Sequence, residues 1–243
     1  MRIRALLLLA IALASGACGG TSLFRQYEYE EEIYLSLDGS ATVYVNSSVA
    51  ALNALRGSRF NTSPAARVNR DAVRALYTSP TTHVTWVRES RRNGRRFVHV
   101  RLDVDDVTRL STVPPFAWSS YAFHRNGNEY VYRQSVGASA NQNVGSVGWN
   151  GRELVAFRLH LPSKINFHNS GTDVRRGNIL VWEQRLTDRL RGEPLTLEAR
   201  MQTQSILYRT LWLFGVTFVA VVVAFVGVIW WVLRRGARHA ETV

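Results

Sequence analysis

Residues 27–45 read YEYEEEIYLSLDGSATVYV, and the fold class follows from this stretch. Tyr27, Tyr29, Ile33, Leu35 and Leu37 fall on one side of a two-residue alternation, with Glu28, Glu30, Glu32 and Ser36 opposite. Successive side chains of a strand point to opposite faces, so this is the pattern of a half-buried strand. Asp38-Gly39 breaks the alternation and Ala41 to Val45 resumes it. A three-residue loop, Leu37-Asp38-Gly39, pairs Leu35 with Ala41 and Ile33 with Val43, apolar against apolar. A two-residue loop pairs them with Thr42 and Tyr44 instead. The longer loop, with glycine at the left-handed position, is the expectation.

Two more segments repeat the logic. Around Asn93-Gly94, a loop of Arg92-Asn93-Gly94 pairs Trp86 with Val100 and Val84 with Leu102. Around Asn126-Gly127, a two-residue loop pairs Phe123 with Tyr130 and Tyr121 with Tyr132. Helix signals lie between: Ser47 or Ser48 caps Val49 to Leu55, which ends at Gly57. Asn69 caps Arg70 to Tyr77, and Asp105 or Asp106 starts a short helix to Ser111. Strand patterns return over 154–161, 164–167, 178–185 and 194–204. The expected fold is α+β, an antiparallel sheet built from hairpins with a few short helices packed on one face, plus one C-terminal transmembrane helix. The Gly-, Ser- and Asn-rich stretch 135–151, with Trp149 embedded, is either a binding element or a mobile connection.

Both ends stand apart from this core. A basic start (Met1 to Arg4), ten apolar residues (Ala5 to Ala14) and the small Ser15-Gly16-Ala17 predict a signal peptide over 1–17. Ten residues at about 1.5 Å each span only half a bilayer core. Cys18 is the only cysteine. LASGAC reads as a lipobox, which makes Cys18 a lipidation site, although Ser15-Gly16-Ala17 also suits ordinary cleavage. Residues 18–26 then form a tether and 27–206 the exported domain. A charge-free run from Leu211 to Leu233, with Tyr208 and Trp212 at one end and Trp230 and Trp231 at the other, predicts a transmembrane helix over 207–233. Arg234, Arg235 and Arg238 place the basic tail, 234–243, in the cytoplasm by the positive-inside rule, and the domain outside it. The expected location is the bacterial cell membrane, spanned once.

The net charge is +12, and without Arg2, Arg4, Arg234, Arg235, Arg238 and Glu241 the exported part keeps 25 basic and 17 acidic residues. Such a domain is drawn to anionic lipid headgroups, and export argues against nucleic acid. Arg91, Arg92, Arg95 and Arg96 crowd one hairpin tip and, with Trp149, are the candidate ligand-binding residues; edge protection is the plainer reading of the arginines. No G-x-S-x-G, H-E-x-x-H or phosphate-loop pattern occurs, so no catalytic residue, cofactor or metal is expected. His160 and His168 flank Pro162 but bring no carboxylate pattern with them, and Asp103, Asp105 and Asp106 suit turns and caps.

LHLPSKINFHN (159–169), GNILVWEQRL (177–186) and PLTLEARMQTQ (194–204), placed before a spanning helix, resemble LppM-type bacterial envelope lipoproteins. Leu161-Pro162, Asn169 and Gly177 to Trp182 match that pattern, and Ser163 departs from its usual glycine. The resemblance covers about 75 residues and implies a mixed α/β surface domain that binds lipids or glycolipids. The expected protein is therefore non-enzymatic and binds membrane lipid. The alternative is an assembly module that recognises another envelope protein through the 135–151 loop or a sheet edge.

Overall fold

Strands β1 (Tyr27–Leu35) and β2 (Ala41–Ser48) pair in the register that the three-residue loop demands, Ile33 opposite Val43 and Leu35 opposite Ala41. Gly39 makes the turn at φ 89°. The structure, a computed structural model, describes residues 26–171, 174 and 178–240. The expected signal peptide, Cys18 and the tether up to residue 25, Gly177 and the last three residues lie outside the described residues.

The second hairpin, β3 (Thr82–Arg92) and β4 (Arg95–Val104), departs from its expected register in part. Val84 does face Leu102, but the loop is the two-residue Asn93-Gly94, and Trp86 stands opposite Arg101 rather than Val100. Both loop residues have positive φ, 50° and 71°, the turn whose twist matches paired strands. A bulge between Val84 and Trp86 absorbs the extra residue, so Val84 and Val87 both stay against the core. The third hairpin, β5 (Ser119–Asn126) and β6 (Glu129–Val136), turns one residue later, at Gly127-Asn128. Phe123 then pairs with Tyr132 and Tyr121 with Gln134, a shift of two that keeps the faces. Phe123 still stacks on Tyr130, with centroids 5.1 Å apart.

The remaining strands are β7 (Leu154–His160), β8 (Ser163–His168), β9 (Ile179–Arg185) and β10 (Leu195–Ser205). They divide the fold into two sheets, ordered β3-β4-β2-β1-β7-β9 and β5-β6-β10-β8. Among the described residues every pairing is antiparallel except β1 with β7. Helix α1 (Val49–Arg56) is capped by Ser48 and closed by Gly57 at φ 72°, and α2 (Arg70–Tyr77) is capped by Asn69. The Asp106 carboxylate caps a 3-10 turn over Val107–Thr112. A further helix, α3 (Leu186–Leu190), was not foreseen, because five residues are too few for a 3.6-residue period to show.

The fold is α+β, and its helices share one core with the inner faces of both sheets. Val43, Val100 and Phe157 from the first sheet meet Leu52 and Leu55 of α1, Tyr77 of α2, and Tyr132 and Leu197 from the second. Ser205 ends β10 and Ile206 begins α4 (Ile206–Ala240) without a linker. Within α4, Ile206–Trp231 is long and apolar enough to cross a membrane, and its large apolar side chains are exposed. At about 1.5 Å per residue this stretch exceeds the roughly 30 Å hydrocarbon layer.

Candidate functional site

Strand register gives the domain two poles. Val104 pairs with Thr82 and Ala41, Ala41 with Leu35, and the neighbouring Tyr34 with His160, so these residues share one end of the first sheet. Two residues beyond His160, the Pro162 carbonyl accepts from the Ile206 amide at 3.0 Å, and Ser163 pairs with Ser205. The anchor helix therefore leaves from this end. The Asn93-Gly94 tip lies at the other end of β3 and β4, ten paired positions away, or about 30 Å at 3.3 Å per residue. Tyr27, where the described domain begins, is also at that far end, paired beside Leu154.

A groove of about 610 Å³ opens at the anchor end, lined by Tyr34, Thr42, Asp103, Asp105, His160 and Pro162 among others. Its position follows from alternation: Tyr34, Thr42, Asp103 and His160 are the outward residues of strands whose inward residues fill the core. Tyr34 is 40% exposed and stacks on the His160 ring at 3.8 Å. Tyr44 lies 5.5 Å from Tyr34, and Trp86 6.1 Å from Tyr44, so a row of rings crosses the sheet from the groove. His160 Nε2 lies 2.6 Å from Glu32 Oε1, which also accepts from the Tyr34 hydroxyl at 3.2 Å. The hydrogen bond from His160, then its charge and the Tyr34 hydroxyl, hold the Glu32 carboxyl below its ordinary range, against the opposing effect of burial. Asp103 accepts from the Thr42 and Thr85 hydroxyls at 3.1 and 3.3 Å. The groove thus offers ring faces, hydroxyls and carboxylate acceptors at the end of the domain from which α4 leaves. That combination suits a ligand rich in hydrogen-bond donors.

The candidate arginines occupy the opposite pole, and most are engaged within the fold. Arg95 is buried, 2.8 Å from the buried Glu28 carboxylate, and donates to the Gly148 carbonyl at 3.0 Å. Trp149 Nε1 donates to the other Glu28 oxygen at 3.2 Å. Arg95 and Trp149 are therefore brought together, and they fasten the 135–151 segment to β1. The same segment is held to α1 through Ala140 N to Leu55 O, 3.0 Å, and Gln142 N to Ala54 O, 3.2 Å. Arg96 donates to the Pro64 and Ala65 carbonyls at 3.1 and 3.3 Å and lies 3.5 Å from Glu89. Arg92 donates to the Tyr27 carbonyl and covers the Phe97 ring. Arg91 is exposed. A cleft of about 200 Å³ between the tip and Ser146-Val147 includes Arg95 and Arg96.

Glu31 lies on the Tyr29 and Ile33 face of β1 and forms a polar centre in the core. Its carboxylate accepts from Tyr29 Oη, Tyr121 Oη, Gln134 Nε2 and Arg56 Nη2, at 3.0, 3.0, 2.8 and 3.1 Å. Arg56 stacks 3.2 Å from the Trp118 ring, with buried Arg189 beside the same ring at 5.2 Å. Burial raises the Tyr29, Tyr121 and Tyr132 hydroxyls well above their usual range, so they stay protonated as donors. The two-residue parity of β1 already places Glu31 on the apolar face. The groove carries no such signal, because its residues come from β1, β2, β4 and β7. His160 and His168 do not meet: His168 bonds Ser170 at 2.8 Å. Among the described residues no three His, Cys, Asp or Glu side chains gather as a metal site.

Comparison with known proteins adds one fold likeness. The chain is similar to the folded domain of LppM from Mycobacterium tuberculosis, solved by NMR. The two are 14% identical, with 75% of this chain and 94% of that domain covered and a TM-score of 0.41. The comparison assigns neither ligand nor activity. No family model and no curated protein matches the sequence.

Proposed function

We propose that this is a non-enzymatic envelope protein, anchored by α4 with its domain outside the cytoplasm and its tail inside, that holds a lipid or glycolipid headgroup in the Tyr34–His160 groove. The observation that carries the reading is the bond from the Ile206 amide to the Pro162 carbonyl, since Pro162 lines the groove and Ile206 opens the membrane helix. A site there is within reach of headgroups without any movement of the domain. The nearby Tyr34, Tyr44 and Trp86 rings are of the type that favours the membrane interface. Orientation rests on Arg234, Arg235 and Arg238 beyond the apolar stretch Ile206–Trp231, together with the signal-peptide pattern.

The test is crosslinking in native membranes with a lipid that carries a photoactivatable headgroup. Crosslinks are expected at Tyr34, His160 and Leu161. Labelling confined to the Arg91–Arg96 tip, or none in the domain, would contradict the reading. The 135–151 loop of the assembly alternative is bonded to α1 and β1 and is largely exposed.

A further inference from the structure

The edge of β3, which runs from the anchor end to the far pole, has a charge pattern the groove does not use. The segment 64–77 runs along the outer edge of β3 and is clamped to the hairpin at several points. Arg74 donates to the Val84 carbonyl, Val68 N reaches Glu89 Oε2 at 3.2 Å, and Arg96 reaches the Pro64 and Ala65 carbonyls. These clamps put Arg67, Arg70 and Arg74 along the edge of β3; of the strand's own exposed arginines, Arg91 shares the Glu89 face, while Arg88, over the Trp86 ring, and Arg92, bonded to the Tyr27 carbonyl, lie on the opposite face. Arg67, Arg70, Arg88 and Arg91 have no acidic partner among the described residues. Glu89 is taken up by Val68 and Arg96, which leaves Asp71 as the acid of this strip. Edge protection accounts for charged side chains on the strand itself, not for those of the 64–77 segment beside it. Four such charges flanking one edge strand repel each other and weaken the folded state, unless something anionic lies against them.

From this arrangement we infer that the β3 edge docks a linear polymer bearing repeated phosphate charges. The row is elongated, following a strand, and its upper end is about 30 Å from the end where α4 leaves. That separation exceeds the roughly 8 Å screening length at physiological salt, so the tip does not feel the headgroups of its own membrane. A polymer lying outward from the membrane meets the row where a bilayer under the domain does not. Arginine suits this role, since its planar fork takes two phosphate oxygens at once. The inference does not depend on what occupies the groove.

The experiment uses the full-length protein in nanodiscs of uncharged lipid, titrated with long-chain inorganic polyphosphate at several salt concentrations. Binding is expected to weaken steeply with salt. R67Q/R70Q/R88Q/R91Q is expected to bind at least about tenfold more weakly and to lower the log–log salt slope by about three, at roughly 0.7 per phosphate contact. Lysine at the same four positions keeps the charge and should keep most of the binding. Arg125→Gln with Lys164→Gln, at the anchor end, should leave it unchanged. Failure of the wild type to bind, equal binding by the glutamine variant, or a loss with lysine as large as with glutamine would overturn the inference. Displacement of polyphosphate by phosphatidylglycerol vesicles at matched charge would also overturn it, in favour of a bilayer.

Discussion

Replacing Glu31 by alanine tests whether the polar centre of the core holds the two sheets together. The substitution leaves Arg56 charged in the interior, where its side chain is 1% exposed and that of Glu31 0%. Breaking a buried pair from one side costs about 3–5 kcal/mol. The Tyr29, Tyr121 and Gln134 donors lose their acceptor too, but the vacated carboxylate volume can admit water to satisfy them. A net loss of about 4 kcal/mol is the expectation, a large part of the 5–15 kcal/mol typical of a domain. At roughly 2–4 °C per kcal/mol for this chain length, Tm should fall by about 8–16 °C. Urea and thermal unfolding of the full-length protein in detergent micelles, followed by tryptophan fluorescence, would measure it, and Trp118 reports on the site because Arg56 stacks on its ring. E31L/R56M removes both charges and should recover about 2 kcal/mol or more relative to the sum of the single variants. If Glu31→Ala costs less than about 1 kcal/mol, or the double variant recovers nothing, the reasoning about the buried pair is wrong.

Further outcomes follow from particular contacts. Asn169→Ala removes the acceptor of Trp182 Nε1 and Glu198 N, both at 2.9 Å, and should destabilise by about 1–3 kcal/mol in chemical unfolding. A methyl group at Gly137 meets the Trp118 carbonyl oxygen at 2.8 Å, so Gly137→Ala should cost about 1–3 kcal/mol, measurable as a lower urea midpoint. Burial, and to a lesser degree Arg92, depress the His99 imidazole in the folded state. The unfolded chain therefore takes up that proton first, and stability present above about pH 6.5 should fall as pH drops through the folded value. Unfolding of His99→Gln across pH 7.5 to 5 should show a shallower decline than wild type. The depressed Glu32 carboxyl acts lower on the scale: its contribution is present above about pH 4.5 and is lost as pH falls further, and His160→Ala should flatten that acid limb.

Much of the fold was legible because it is local. The alternation of Tyr27 to Leu37 and the position of Gly39 gave the first hairpin in its correct register, and Ser48, Asn69 and Asp106 cap the elements expected of them. The two register errors have one cause: turn type follows the φ that each residue accepts, which apolar matching does not weigh. Asn93-Gly94 took the two-residue turn and passed the mismatch to a bulge at Trp86, while Gly127 moved the third turn by one position. The division into two sheets and the parallel β1–β7 pair were not readable, because β1 and β7 lie more than a hundred residues apart and β6 and β10 are separated by 59 to 73 residues at their paired positions. For the motif residues the structure gives a physical reason: Asn169 accepts from Trp182 and binds β10, so that spacing encodes a corner between the sheets. The candidate site was the least legible. Charge crowding and the 135–151 loop pointed to Arg91, Arg92, Arg95, Arg96 and Trp149, whereas the proposed groove at Tyr34, Asp103 and His160 rests on proximity to the anchor, a tertiary property.

The central claim, a headgroup held at the anchor end, is tested most directly by native mass spectrometry of the full-length protein released from its own membranes. Wild type should carry one lipid at near-stoichiometric level, and Y34A/D103N, which changes two outward side chains and leaves the core intact, should lose most of it while still unfolding cooperatively. A wild-type protein that emerges lipid-free, or a variant that retains the same lipid at the same occupancy, would contradict the account.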